Sequence, residues 1–131
     1  MTVVITLEHN EARLNGTLTF LDNGPNNARF QIYGGVRPSS PASPASNELL
    51  VEIQLTKPSG IISDGLLTLT QLEDGLISKT GIATWARLVT GNDINALDLD
   101  CSTTEGNGDV KLASTNLYLG GDARLVSAVL G

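Results

Sequence analysis

Between residues 81 and 101 apolar and polar positions alternate with a two-residue period, the spacing of a strand with one dry and one wet face. Trp85, Arg87 and Val89 share one parity, and Ile82, Thr84, Ala86 and Leu88 the other. Gly91, Asn92 and Asp93 supply turn chemistry, after which Leu97, Leu99 and Cys101 alternate with Ala96, Asp98 and Asp100. The segment predicts a hairpin. Trp85 is the only tryptophan and has more apolar area to bury than any other side chain, so its face is expected to define the core. Trp85, Leu97, Leu99 and Cys101 are the expected anchors. An exposed Trp85 platform for a sugar or a partner is the alternative.

Similar alternation recurs along the chain. Arg29 to Tyr33 reads as a short strand ended by Gly34 and Gly35. Leu49, Val51, Ile53 and Leu55 oppose Leu50, Glu52, Gln54 and Thr56, and Lys57-Pro58-Ser59-Gly60 is expected to end that strand. Further strands are predicted over residues 66–72, 76–79, 110–113, 117–119 and 123–130, with turn signals about every ten residues. At the front, Leu7, Leu14, Leu18 and Leu21 fall on one helical face, which predicts a helix over about 7–22. Thr6 is placed to cap it, Glu8 and Glu11 suit its first turns, and Asn23-Gly24-Pro25 is a stop. Gly16 weakens this pattern, and strands over 3–7 and 17–21 are the alternative. The resulting fold class is mainly β, an antiparallel β-sandwich of jelly-roll or Ig-like type, with about eight or nine strands and one N-terminal helix.

Residues 37–47 interrupt the periodicity with a Pro/Ser-rich segment that has no apolar side chains able to build a core. Too few residues precede it for a separate domain, so it reads as a surface loop inside one domain, 1–131. Pro38, Pro41 and Pro44 make it a candidate assembly arm, ordered against a neighbouring subunit.

Composition narrows the functions. With 40% hydrophobic and 17% charged residues the chain should fold, and with only 4% aromatics its core must be aliphatic. A net charge of -6 and eight scattered Lys and Arg residues argue against a sequence-independent grip on nucleic acid. No apolar stretch approaches membrane-spanning length, and the beginning lacks the pattern of a secretory signal, so a soluble protein made in a cytosol is expected. One cysteine excludes an intrachain disulfide, and one cysteine with one histidine cannot fill a structural zinc site.

Candidate chemistry is sparse. Asp98 and Asp100 share a strand face, with Glu105 and Asp109 following, so they are weak candidates for a hard cation such as calcium. A solvated polar face accounts for the same pattern. His9 has no nucleophile at a readable spacing and reads as a surface residue. No catalytic residue and no cofactor follow from these motifs, and a non-enzymatic protein is expected.

The motifs Arg29-Phe30-Gln31-Ile32-Tyr33, Gly34-Gly35, Arg37-Pro38, the 49–55 strand, Gly81-x-Ala83-Thr84-Trp85-x-Arg87 and Ser114-Thr115-Asn116 occur in this order. The chain thereby resembles small structural proteins of tailed bacteriophages and prophages that carry a Gly-x-Ala-Thr-Trp-x-Arg strand. The resemblance spans most of the chain; the Pro/Ser loop is longer here and the leading segment less helix-prone. It implies a virion component, synthesised in the host cytoplasm: a capsid cement or decoration protein, or a neck, tail or baseplate accessory. Its partners would be other virion proteins, the major capsid protein or neck and tail proteins, and further copies of itself in a homo-oligomer. A carbohydrate-binding module using Trp85, Tyr33 or Tyr118 is the competing class.

Overall fold

Thr6 opens the only helix among the described residues, α1 (Leu7–Leu21), its hydroxyl accepting the His9 backbone N–H at 3.1 Å, and Glu8 sits in the first turn. The structure, a computed structural model, describes residues 4–45 and 47–131. Val3, part of the alternative 3–7 strand, and Ser46, part of the Pro/Ser segment, lie outside the described residues. Leu14 and Leu21 are buried and Leu18 packs against the same core, whereas Leu7 stays exposed.

The strands are β1 (Arg29–Tyr33), β2 (Leu49–Ser63), β3 (Leu66–Gln71), β4 (Gly75–Leu76), β5 (Gly81–Ile82) and β6 (Trp85–Val89). They continue with β7 (Asn95–Ser102), β8 (Val110–Leu112), β9 (Asn116–Leu117), β10 (Asp122–Ala123) and β11 (Leu125–Leu130). Seven of them close a barrel in the order β1-β2-β3-β11-β8-β7-β6, and β6 pairs back onto β1. The antiparallel sandwich expected from the alternation is therefore corrected to a mixed barrel. Alternation reports which face of a strand is dry; it does not report which strands are neighbours. Here β11 bridges β3 and β8, and a short parallel pairing of Cys101 with Val110 and Ser102 with Lys111 joins β8 to β7.

Strand β2 explains how the sheet curls. Its pairing with β3 jumps register between Leu55 and Gly60, and such an irregularity bends a strand. Lys57-Pro58-Ser59-Gly60 thus bends β2 and does not end it, a second correction. The bend is pinned to the end of the helix: the buried Ser59 donates its backbone N–H and its hydroxyl to the Asp22 carboxylate. Lys57 Nζ donates to the carbonyl of Gly24 at 2.7 Å, and Asn27 Nδ2 to that of Leu55 at 2.8 Å.

The helix lies across one mouth of the barrel. Near its start, Asn10 donates to the carbonyl of Gly65 at 2.9 Å and Glu11 accepts the Gly65 N–H at 3.1 Å, in the β2–β3 turn. Gly65 has φ +75°, and a Cβ there would press on Leu7, so the turn favours glycine twice over. At its end, Leu21 accepts the N–H of Gly91 in the β6–β7 turn. Gly91 is needed for closeness: a Cβ would collide with the backbone of Asn23 and Asn26, while the positive φ of that turn falls on Asp93. The other mouth carries two small pairs, β4 with β10 and β5 with β9. Residues 123–130, expected as one strand, divide between β10 and β11.

The interior is aliphatic with one ring: Phe30, Ile32, Val51, Ile53, Leu55, Leu67, Leu88, Val110 and Leu112 are fully buried. Burial of each is worth roughly 1.5–3 kcal/mol in removed apolar area.

Candidate assembly surface

Strand register decides the place of Trp85. It stands opposite Tyr33 on β1 and Asp100 on β7, whereas Ala86 stands opposite Ile32 and Leu99. Ala86, Leu88 and Leu99 belong to the interior cluster, with Leu97 and Cys101 packed against it, so Trp85 points the opposite way, out of the barrel. The expectation that the Trp85 face defines the interior is corrected by this register, whereas Leu97, Leu99 and Cys101 do lie in or against the interior cluster. Trp85 is nonetheless only 1% exposed. All five residues of β6 are buried, the odd-numbered ones on the outer face.

The Pro/Ser-rich segment provides the cover. The described residues between β1 and β2, 34–45 and 47–48, fold back as a strap against the outer face of β6 and β7. Trp85 Nε1 donates to Asn47 Oδ1 and to the carbonyl of Gly34, both at 3.3 Å, and Thr84 Oγ1 donates to the carbonyl of Gly35 at 2.6 Å. Arg37 pairs with Asp100 at 3.4 Å, and Asn95 Nδ2 donates to the carbonyl of Pro41 at 3.1 Å. Pro38 and Pro41 are half-buried and Pro44 is exposed. Within this chain the expected assembly arm is seated on its own barrel.

Beneath the strap the Tyr33 and Trp85 rings stack with centroids 4.6 Å apart, and the Arg87 guanidinium lies 5.4 Å from the Trp85 ring. Arg87 makes a two-pronged bond to Asp98, Nε to Oδ1 at 2.8 Å and a terminal nitrogen to Oδ2 at 3.1 Å, with the side chains 3% and 5% exposed. The hydrogen bond to Asp98 raises the Arg87 pKa further, so the guanidinium stays charged. Burial raises the Tyr33 phenol, with Arg87 opposing. A polar chain continues along this face: the Tyr33 hydroxyl donates to Gln31, Gln31 to Glu52, and Arg29 pairs with Glu52 at 3.3 Å and Asp93 at 2.9 Å.

These contacts redefine the candidate residues. Asp98 and Asp100 do share a face, but each is paired with an arginine, and no cluster of three or more metal-ligating side chains occurs among the described residues. Glu105 and Asp109 are exposed on the loop after β7, where the Lys111 ammonium donates to the Gly106 carbonyl and to Ser102. That loop already holds a cation of its own. Burial pushes the Cys101 thiol up to about 12, Asp100 adding to it, which makes it a poor nucleophile. His9 is exposed on α1. With Trp85 and Tyr33 occupied by each other, Arg87 and the strap, Tyr118 is the one exposed ring of the three named for sugar stacking.

Sequence reasoning missed the mouth opposite the helix. There Leu76 on β4, Ile82 on β5, and Tyr118 and Leu119 between β9 and β10 are 68%, 61%, 67% and 68% exposed. Backbone contacts hold this group in place: Gly120 N–H donates to the Ile77 carbonyl, Ile77 N–H to that of Gly121, and Leu119 N–H to Thr80 Oγ1. Beside it runs a shallow groove lined by Gly34, Leu50, Gly81 and Ile82. An alternating pattern assigned these side chains to strands without marking them as one unburied group, because Leu76 and Ile82 lie in two-residue strands and Tyr118 and Leu119 in the turn between β9 and β10. Clustered exposed apolar side chains mark contact surfaces.

Taken together, these features define a helix-capped, mixed seven-stranded barrel with a strapped aromatic face and a bare apolar mouth. No family model, no curated protein and no solved structure matches the chain. No described helix is long and apolar enough to cross a membrane.

Proposed function

We infer that this chain is a structural component of a tailed-bacteriophage particle, a capsid cement or decoration protein that bridges shell subunits. The observation that carries this reading is the bare apolar mouth, with Leu76, Ile82, Tyr118 and Leu119 exposed on a firmly braced frame. The barrel is closed and the pairs at that mouth are only two residues long, so docking there rests on side-chain burial more than on edge pairing. The role is structural and not enzymatic: Asp98 and Asp100 are spent on ion pairs. Its partners are other virion proteins together with further copies of the chain.

Mass spectrometry of purified particles tests the reading directly, and absence of the chain overturns it. Ile82→Asp, on an exposed position, is expected to leave the circular dichroism and the melting temperature unchanged while stripping the chain from particles. Immunogold labelling separates a shell position from the close variant, a neck, tail or baseplate accessory.

A further inference from the structure

Asn15, Asn23 and Asn107 each precede a glycine. Glycine has no Cβ to shield its backbone nitrogen, so in such pairs that nitrogen can attack the asparagine side-chain amide. The fold gives the three pairs different surroundings. Asn15-Gly16 lies inside α1, where the Gly16 N–H belongs to the helical ladder and the Asn15 Cβ tilts toward the helix start, away from that nitrogen. Asn107 is exposed, but Gly108 is buried against β7: a Cβ there would fall 2.6 Å from the Cys101 carbonyl carbon, and its N–H donates to Ser102 Oγ at 3.0 Å. Asn23-Gly24 follows the helix C-cap, outside both helix and sheet. Among the described residues nothing accepts the Gly24 N–H, and the exposed Asn23 side chain makes no hydrogen bond.

We propose that Asn23 is a self-modification site: in the folded chain it converts to isoaspartate ahead of Asn15 and Asn107, and the change loosens α1 from the barrel. The Gly24 nitrogen bonds to Asn23 Cγ, the Cγ–Nδ2 bond breaks, and the nitrogen's proton leaves with the side-chain amine as ammonia. Water then opens the five-membered imide at either carbonyl, giving isoaspartate or aspartate. Isoaspartate carries one extra carbon in the main chain, which lengthens it by about 1.5 Å. The insertion falls where the helix is fastened down. Leu21 accepts the Gly91 N–H at 3.0 Å just before Asn23, and just after it the Gly24 carbonyl accepts from Lys57 Nζ at 2.7 Å and the Asn26 N–H donates to Gly91 at 3.2 Å. Gly24 is also wedged against Asn92, whose Oδ1 lies 2.3 Å from the place of a Cβ, so a longer chain cannot keep all of these contacts. The conversion is independent of whether the chain belongs to a particle.

Two measurements on the full chain test it. The protein is aged in mildly alkaline buffer, digested and mapped by mass spectrometry, and Edman degradation, which halts at isoaspartate, locates the rearranged residue. Conversion at Asn23 is expected to run at least about tenfold faster than at Asn15 or Asn107, whose pairs must first open locally. Equal or faster conversion at either of those overturns the proposal. In urea the three rates are expected to converge; an undiminished lead for Asn23 in the unfolded chain puts the cause in its sequence neighbours and also overturns it. For the loosening, the isoaspartate form is separated by ion exchange and melted beside a fresh Asn23→Asp chain, which has the same charge on a backbone of ordinary length. The isoaspartate form is expected to melt lower by about 4 °C or more. Equal melting temperatures overturn the loosening of the helix.

Discussion

The two faces of strand β6 are buried by different means. Ala86 and Leu88 face a dry interior of aliphatic side chains and Phe30, where stability comes from area removed from water and almost any well-fitting apolar group would serve. Trp85 and Arg87 face outward and are buried by a loop, where stability depends on stacking and on matching each polar atom to a partner. Among the described residues no buried side-chain polar atom lacks one. The interior tolerates change of shape poorly but is indifferent to pairing, while the strapped face is the reverse. One face is a packing problem and the other a bonding problem.

That contrast breaks most visibly at its two centres. Phe30→Ala is expected to cost about 3–5 kcal/mol in chemical denaturation, with no second substitution on the outer face able to restore it. Asp98→Ala should cost a similar amount, about 3–5 kcal/mol, because it leaves a buried guanidinium unpaired. Here rescue separates the faces: adding Arg87→Met to Asp98→Ala removes the stranded charge and should recover most of the loss. If the double variant is no more stable than the single, the outer face is not held by pairing.

Cys101 lies between the two regimes, packed against the interior from β7 with Asp100 beside it. Its neutral thiol is favoured by folding, since the folded value of about 12 exceeds the ordinary 9.0. Stability from this source is complete below pH 9 and is lost as pH rises from about 9 toward 12, where the unfolded chain ionises first. The slope attributable to it reaches about 1.4 kcal/mol per pH unit, and Cys101→Ala should remove that part of the alkaline fall. Smaller effects belong to the helix that closes the barrel. Thr6→Ala removes the cap and should cost about 1 kcal/mol in thermal or urea melts. Gly16→Ala, where a Cβ meets nothing within 4 Å, should stabilise by about 0.5–1 kcal/mol.

The helix and most strands were legible because local periodicity and caps specify them. Thr6, the leucines at 14, 18 and 21, and the stop after Asp22 lead to the observed helix Leu7–Leu21, one residue shorter than expected. The 29–33 strand emerges unchanged. Legibility failed where a strand has two dry faces: in β6 the alternation of Trp85 and Arg87 with Ala86 and Leu88 is real, but both sets are covered. Nothing in a Pro/Ser-rich composition signals that it will be laid over an indole. The apolar mouth was equally silent, since Leu76 and Ile82 look like any strand residues until the space beyond them is known to be empty.

The amino-acid order by itself determined the mainly β character, the leading helix with its cap, the aliphatic core and a hairpin within 81–101, of which residues 81–82 separate as β5 and pair with β9. Those features depend on neighbours a few residues apart, whose spacing the chain carries explicitly. Closure into a barrel, the parallel join of β7 to β8, the outward course of Trp85 and the bare mouth were decided only in three dimensions. Each depends on which distant segments meet, as Tyr33 meets both Leu49 and Trp85, and on how far β2 bends at Ser59, quantities that periodicity does not encode.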